Sequence, residues 1–170
     1  MKLKFDSNDT KNLFLRYAIP CGNVLVKRKT ISKDKLDKMK VNLINGRDIR
    51  DIEKTFKVAS SMCYIITRKM KKNKIDKAVI RKYFWSEHAK AIEWRHNIYK
   101  DFDKKLCRVY PGRVTSIGEK AIVLTPIGKR ELRTDFVSDL MKNDLVTVHY
   151  DYIVEKITKK EFNSLWNKYK

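Results

Sequence analysis

C-R-V-Y-P-G-R-V-T-S-I-G-E-K-A-I-V-L, residues 107–124, and L-V-T-V-H-Y-D-Y-I-V-E-K-I, residues 145–157, decide the fold. Both are runs of β-branched and aromatic residues cut by glycines and charges, the composition of short strands. Pro111-Gly112 is expected to interrupt the first run, and Gly118-Glu119-Lys120 to turn a hairpin between 114–117 and 121–125. Leu145, Val146, Val148, Tyr150, Tyr152 and Val154 come close to the period of two expected of a half-buried strand. Short strands at this spacing fit a small closed or nearly closed barrel better than an open sheet. Beyond Ile157, Phe162, Leu165, Trp166 and Tyr169 recur at helical spacing, with Thr158 and Glu161 set as a capping box. The C-terminal part therefore reads as an OB-like β-barrel followed by a helix.

Working outward, residues 1–104 read as helices. Thr10 opens one that Pro20-Cys21-Gly22 stops, and N-V-L-V-K-R-K-T after it is ambiguous between strand and loop. Ser32 or Asp34 caps a second helix with Leu36, Met39, Leu43 and Ile44 on one face and Asn45-Gly46 at its end. Residues 47–70 form a third, with Ile49, Ile52, Phe56, Ala59, Met62 or Cys63, and Ile66 at spacings of three and four. Residues 75–102 form the longest helix, with apolar residues on more than one face. The fold class is α+β: a basic helical domain over 1–104, then the barrel and its helix over 105–170.

Composition excludes several classes. A chain of 170 residues with 42% hydrophobic residues is long enough, and apolar enough, to bury a core. No apolar run approaches the roughly 20 residues that span a bilayer, and residues 1–11 lack a signal-peptide hydrophobic segment, so no membrane association and a cytoplasmic location are expected. Three cysteines, Cys21, Cys63 and Cys107, are an odd number without a C-x-x-C pair, which argues against a disulfide framework or a structural zinc site.

The net charge of +20 points to a polyanionic or acidic partner. It is uneven: residues 1–104 hold 27 Lys and Arg against 12 Asp and Glu, and residues 105–170 hold 13 against 8. The candidate anion- or partner-binding residues are Lys27, Arg28 and Lys29, then Arg68, Lys69, Lys71, Lys72 and Lys74, then Arg81 and Lys82. The last pair precedes Tyr83-Phe84-Trp85, and aromatics among basic residues could stack on bases while the cations neutralise phosphates. Tyr83–Trp85 at helical spacing also fits a core, and a solvated lysine-rich surface explains the charge equally well.

Cys107-x-x-x-Pro111-Gly112-x-Val114, with Val148-His149 before V-E-K-I and a terminal helix, resembles the HypC/HupF family of [NiFe]-hydrogenase maturation chaperones. The resemblance covers about residues 106–168. It implies an OB-like barrel and a non-enzymatic accessory role in metallocentre assembly, with docking on a protein partner, an acidic one by the charge of the helical part. It also implies functional roles for Cys107 and His149, which would touch a transient iron, with Pro111 and Gly112 shaping the turn. In that family the cysteine becomes N-terminal, whereas Cys107 is internal, and Asp151-Tyr152 stand where the family tends to have Gly-Phe. The whole chain, from F-L-R-Y-A-I-P-C-G to V-T-V-H-Y-D-Y, is similar to an uncharacterised prokaryotic family with a helical N-terminal region and a HypC-like tail.

From residue chemistry alone, Cys107 and His149 are a thiolate and a base, or two soft-to-borderline metal ligands; the plainer reading is a buried thiol and a strand histidine. No acidic orienter or oxyanion loop accompanies them, so catalysis is the weaker expectation. Glu93-x-x-His96 has ligand spacing on one helical face but no second copy, and His88 and His96 lie two turns apart. Glu87, His88, Glu93 and His96 are expected as surface or interdomain hydrogen-bonding groups, and Cys21 and Cys63 as buried thiols. The alternative to the accessory role is an RNA- or single-stranded-DNA-binding protein that uses the basic helical face and needs no Cys107.

Overall fold

The computed structural model describes residues 3–170. The chain divides into two compact units, Met1–Phe102 and Asp103–Lys170.

The first unit is helical. Helix α1 runs Asn8–Ala18 and is capped by Ser7, whose hydroxyl accepts the Thr10 N–H at 3.2 Å; Thr10, expected to open the helix, is buried inside it. Pro20 sits in a 3-10 turn over Ile19–Cys21 that leads into a short helix α2, Gly22–Lys27, where the sequence was ambiguous between strand and loop. Gly22 admits the next helix: a Cβ there would stand 2.3 Å from Leu36 Cδ1. That helix, α3 (Lys33–Ile44), is capped by Ser32 rather than Asp34, buries Leu36, Met39 and Leu43, and leaves Ile44 exposed. Gly46 ends it with φ +65°, a conformation glycine adopts without strain.

The single helix expected over 47–70 is two. Asp51 takes a left-handed φ of 58°, α4 spans Ile52–Thr55, and α5 spans Lys57–Lys69. After α5 the backbone of Ile75 bonds to that of Lys4 and Asp6. The last helical run covers 77–98, shorter than the expected 75–102. It comprises α6 (Lys77–Lys82), a π-helical turn (Tyr83–Glu87) and α7 (His88–Ile98). Asp76 caps its start by accepting the Val79 N–H at 2.9 Å. The core of the unit is aromatic: Tyr17 stacks on Phe84 at 4.8 Å between ring centroids, and Phe14 meets Phe84 edge-on at 6.1 Å. Burying each such ring contributes about 1.5–3 kcal/mol, which explains why Tyr83 and Phe84 face inward rather than toward a ligand.

The second unit is an antiparallel sheet. Strands β1 (Val109–Ile117), β2 (Ala121–Thr125), β3 (Gly128–Leu132), β4 (Leu145–His149) and β5 (Tyr152–Lys156) lie in the order β3-β2-β1-β4-β5. Gly118-Glu119-Lys120 turns the β1–β2 hairpin as expected. Pro111-Gly112 does not interrupt β1. Pro111 lies opposite Thr147 of β4, ahead of Arg113, where pairing with β2 begins. Gly112 is required there, because a Cβ would stand 2.4 Å from Val123 Cγ1. Nor does β4 alternate: residues 146–149 are all buried.

The expected helices, antiparallel strands and C-terminal helix are present, and the sheet, expected as a barrel, is not closed. Strands β3 and β5 are the two edges, and an isolated bridge joins the chain beside them, where the Arg133 N–H donates to Asp151 O at 2.7 Å and the Ile153 N–H to Arg133 O at 3.0 Å. Helix α8 (Lys159–Trp166) follows, its capping box formed by Thr158 and Glu161 as the sequence predicts, with Phe162 and Leu165 buried. In the 3-10 turn after α8, Tyr169 donates its hydroxyl to Val109 O at 2.7 Å and ties the C-terminus to the start of β1.

Candidate metal centre

Strand register builds the first thiol–imidazole pair. Val109 of β1 lies opposite His149 of β4, so Cys107, two residues ahead of β1, arrives beside the last residue of β4. A tight turn through Tyr150, with left-handed φ 46°, sends the chain back as β5 and pairs Tyr152 with His149. The Tyr150 N–H donates to Leu106 O at 3.1 Å, which holds the segment before β1 against this turn.

Within that frame His149 Nε2 lies 2.8 Å from the Cys107 carbonyl oxygen. A carbonyl only accepts, so Nε2 carries the proton and a neutral ring has its lone pair on Nδ1. This is how metal-binding imidazoles are commonly oriented, one ring N–H anchored on an oxygen and the other nitrogen turned to the ion. The Cys107 sulfur and the ligand nitrogen of His149 lie within 4.8 Å. Both residues are buried, Cys107 at 6% and His149 at 0% relative exposure, so the pair is not on an open rim.

The helical unit carries a second pair. Cys21 ends the 3-10 turn after Pro20, and His88 follows the π turn. In that turn the His88 N–H bonds to the Tyr83 carbonyl, five residues back, a register shift of the kind often found at functional sites. His88 Nδ1 lies 3.2 Å from the Tyr83 hydroxyl, and Nε2 lies 3.9 Å from Cys21 Sγ. Cys21 is partly exposed and His88 buried.

Each unit thus offers two donor atoms that could bind a metal ion, from Cys21 and His88 in the helical unit and from Cys107 and His149 in the sheet unit. The remaining candidate donors have other surroundings. Cys63 is fully buried, and burial pushes its thiol up to about 12. His96 meets the Phe102 ring edge-on at 5.6 Å. Glu93 and Glu87 are half-buried, and Glu87 pairs with Lys90 at 3.2 Å.

Reading the sequence missed the Cys21–His88 pair because 67 residues separate its members. The one local signal is that Cys21 lies in the F-L-R-Y-A-I-P-C-G phrase.

The candidate anion-binding residues lie in the helical unit. Lys27 ends α2 and Lys29 follows with φ 55°, both exposed. Arg28 makes two 2.7 Å bonds to the Asp101 carboxylate and stacks over Tyr99 at 4.3 Å. Arg68 and Lys69 close α5; Arg68, Lys69, Lys71 and Lys74 are exposed, while Lys72 pairs with Asp76. Arg81 lies over the Trp85 ring at 4.9 Å, and Lys82 is exposed.

No helix among the described residues is long and apolar enough to cross a membrane. The fold and site define a helical unit and an antiparallel-sheet unit, each carrying one thiol–imidazole pair. Compared with known protein families, curated proteins and solved structures, the chain matches none. The HypC-like resemblance of residues 106–168 therefore stands on its motifs alone.

Proposed function

We propose that this chain is a non-enzymatic accessory protein that holds a metal ion through Cys107 and His149. It serves metallocentre assembly in the manner that its HypC-like motifs imply. The observation that carries this reading is the meeting of Cys107 and His149 at the β1–β4 register, with the imidazole anchored by the Cys107 carbonyl at 2.8 Å. A thiolate and an imidazole suit iron or zinc, and iron is the ion the resemblance implies. The OB-like barrel remains part of the proposal, with the bridge at Arg133 as the start of closure. The lysine-rich helical unit supplies the field that draws an acidic protein partner.

A second reading, binding of RNA or single-stranded DNA, is favoured by one observation: Arg68, Lys69, Lys71 and Lys74 form an exposed basic run at the end of α5. The two readings separate cleanly. The protein is purified from its native source, intact and as Cys107→Ala, with iron and zinc analysis and identification of bound protein or RNA. The metal-holding reading requires metal in the intact protein and its loss in Cys107→Ala, with protein as the bound partner. Bound RNA that survives Cys107→Ala and is lost on charge reversal at Lys69, Lys71, Lys72 and Lys74, with a flattened salt dependence, would establish the second reading instead.

A further inference from the structure

We infer that the outer face of α5 is the docking surface for the acidic protein partner, and that it takes a segment carrying apolar side chains among Asp and Glu. The inference rests on the reading of an acidic protein partner and locates that partner on the helical unit, on residues that the HypC-like motifs do not contain.

Helix α5 turns apolar residues both ways. Its inner face buries Ser60, Cys63, Ile66 and Thr67. On the outer face Ser61, Tyr64, Ile65 and Arg68 are neighbours at helical spacing, and all of them are exposed. Tyr64 keeps 44% of its surface and Ile65 43%. A helix needs apolar residues only where it meets the core, so packing accounts for Cys63 and Ile66 but not for Tyr64 and Ile65. One exposed apolar side chain is ordinary, whereas an adjacent pair in the middle of a helix face forms a patch.

The charge around this pair is of one sign. No acidic residue occurs between Glu53 and Asp76, and Lys57, Arg68, Lys69, Lys71 and Lys74 are exposed in that stretch. Elsewhere lysines are answered: Lys40 pairs with Asp37 and Lys90 with Glu87. Among the described residues, Arg68, Lys69, Lys71 and Lys74 make no ion pair. A surface kept soluble by charge mixes both signs, and this one does not. Arg68 and Lys69 also complement the carbonyl end of α5. That effect fades within the last turn, so it leaves Lys74 and the apolar pair without a role.

The backbone that carries the cations is fixed. Lys71 takes a left-handed φ of 54° at a position where glycine commonly ends a helix. Its N–H donates to Arg68 O at 3.0 Å, the Lys72 N–H donates to Thr67 O at 2.9 Å, and Lys72 pairs with Asp76. A surface ordered before binding loses less entropy when a partner arrives.

Tyr and Arg are enriched at the energetic centres of protein interfaces, and lysines beside them complement an acidic rim. Single-stranded nucleic acid fits less well. A base stacks on a ring such as Tyr64, but the branched side chain of Ile65 beside it offers no flat face.

The test uses the full chain and fluorescent probes read by anisotropy. The probes are a synthetic helical peptide with a leucine stripe flanked by glutamates, the same peptide with serines for the leucines, and oligouridylate. The chain is used intact and as Tyr64→Ala, Ile65→Ser and Arg68→Glu. Val41→Ser and Ile44→Ser, which remove exposed apolar side chains of α3, are the controls. Folding is checked by far-ultraviolet circular dichroism. The leucine peptide is expected to bind the intact chain and to lose on the order of 30-fold in affinity in each α5 variant, the cost of losing an interface hot spot. The α3 controls should bind it as the intact chain does. The loss in Arg68→Glu should shrink as salt is raised, and the loss in Tyr64→Ala should not. If the serine peptide binds as tightly as the leucine peptide, or if Tyr64→Ala and Ile65→Ser leave the affinity unchanged, the α5 patch is overturned while attraction of an acidic partner by charge survives. If neither peptide binds, both are overturned. Oligouridylate binding that alone is lost in Tyr64→Ala overturns the proposal in favour of the nucleic-acid reading. Should a variant fail to fold, the comparison of the two peptides on the intact chain decides.

Discussion

Replacing Gly112 by alanine tests the strand register that brings Cys107 to His149. The new Cβ would stand 2.4 Å from Val123 Cγ1 and 3.5 Å from the Leu124 carbonyl oxygen. Val123 has no exposed surface and is held in register opposite Val114 and Arg130, so it has little room to give. Overpacking of this kind costs about 1–3 kcal/mol. Amide hydrogen exchange on peptides covering β1 and β2 reads the sheet unit separately from the helices. A cost of that size accelerates exchange roughly 5- to 150-fold where opening limits it. The same variant should weaken metal binding, because Cys107 and His149 are placed by β1 and β4. Exchange within about twofold of the unsubstituted chain would show that β1 and β2 are not packed as described, and would remove the physical reason for a glycine after Pro111.

Two further predictions concern ionisation. The side-chain hydrogen bonds from Arg28 hold the Asp101 carboxyl below its ordinary value of 3.8. A lowered folded-state value means the stabilisation is present above pH 3.8 and is lost as the pH falls below it; Asp101→Asn should flatten acid unfolding of the helical unit in that window, and an unchanged acid limb would contradict the pairing. Burial raises the Tyr169 phenol from 10 to about 12. The unfolded chain then releases this proton first, so the sheet unit should lose stability between pH 10 and about 12, and Tyr169→Phe should abolish that loss. Ultraviolet titration of the phenols checks it, and a Tyr169 that ionises near 10 in the folded chain would refute it.

Much of the architecture was legible because local patterns carried it. The capping box at Thr158–Glu161 and the Gly118–Lys120 turn are local signals that appear as read, and of the apolar face Leu36, Met39, Leu43 and Ile44 all but Ile44 are buried. Sheet closure was not legible, since it depends on whether β3 and β5 bond along their length, and no spacing encodes that. The break at Asp51 was hidden because apolar residues on either side keep helical spacing across it. The π turn was hidden because a one-residue register shift leaves the apolar pattern of 83–98 readable as one helix.

The site divided in the same way. Cys107 and His149 were found through a motif, and the register explains their meeting. His88 looked like a surface or interdomain polar group because its neighbours Glu87 and Lys90 are charged, whereas it lies buried beside Tyr83 and Phe84.

X-ray absorption at the zinc edge of the zinc-loaded, reduced, full-length chain tests the central claim most directly. A sulfur from Cys107 at about 2.3 Å and a nitrogen from His149 at about 2.0 Å from the metal are predicted. A first shell of nitrogen and oxygen alone would contradict the assignment of Cys107 as a ligand, and with it the metal-holding role of this chain.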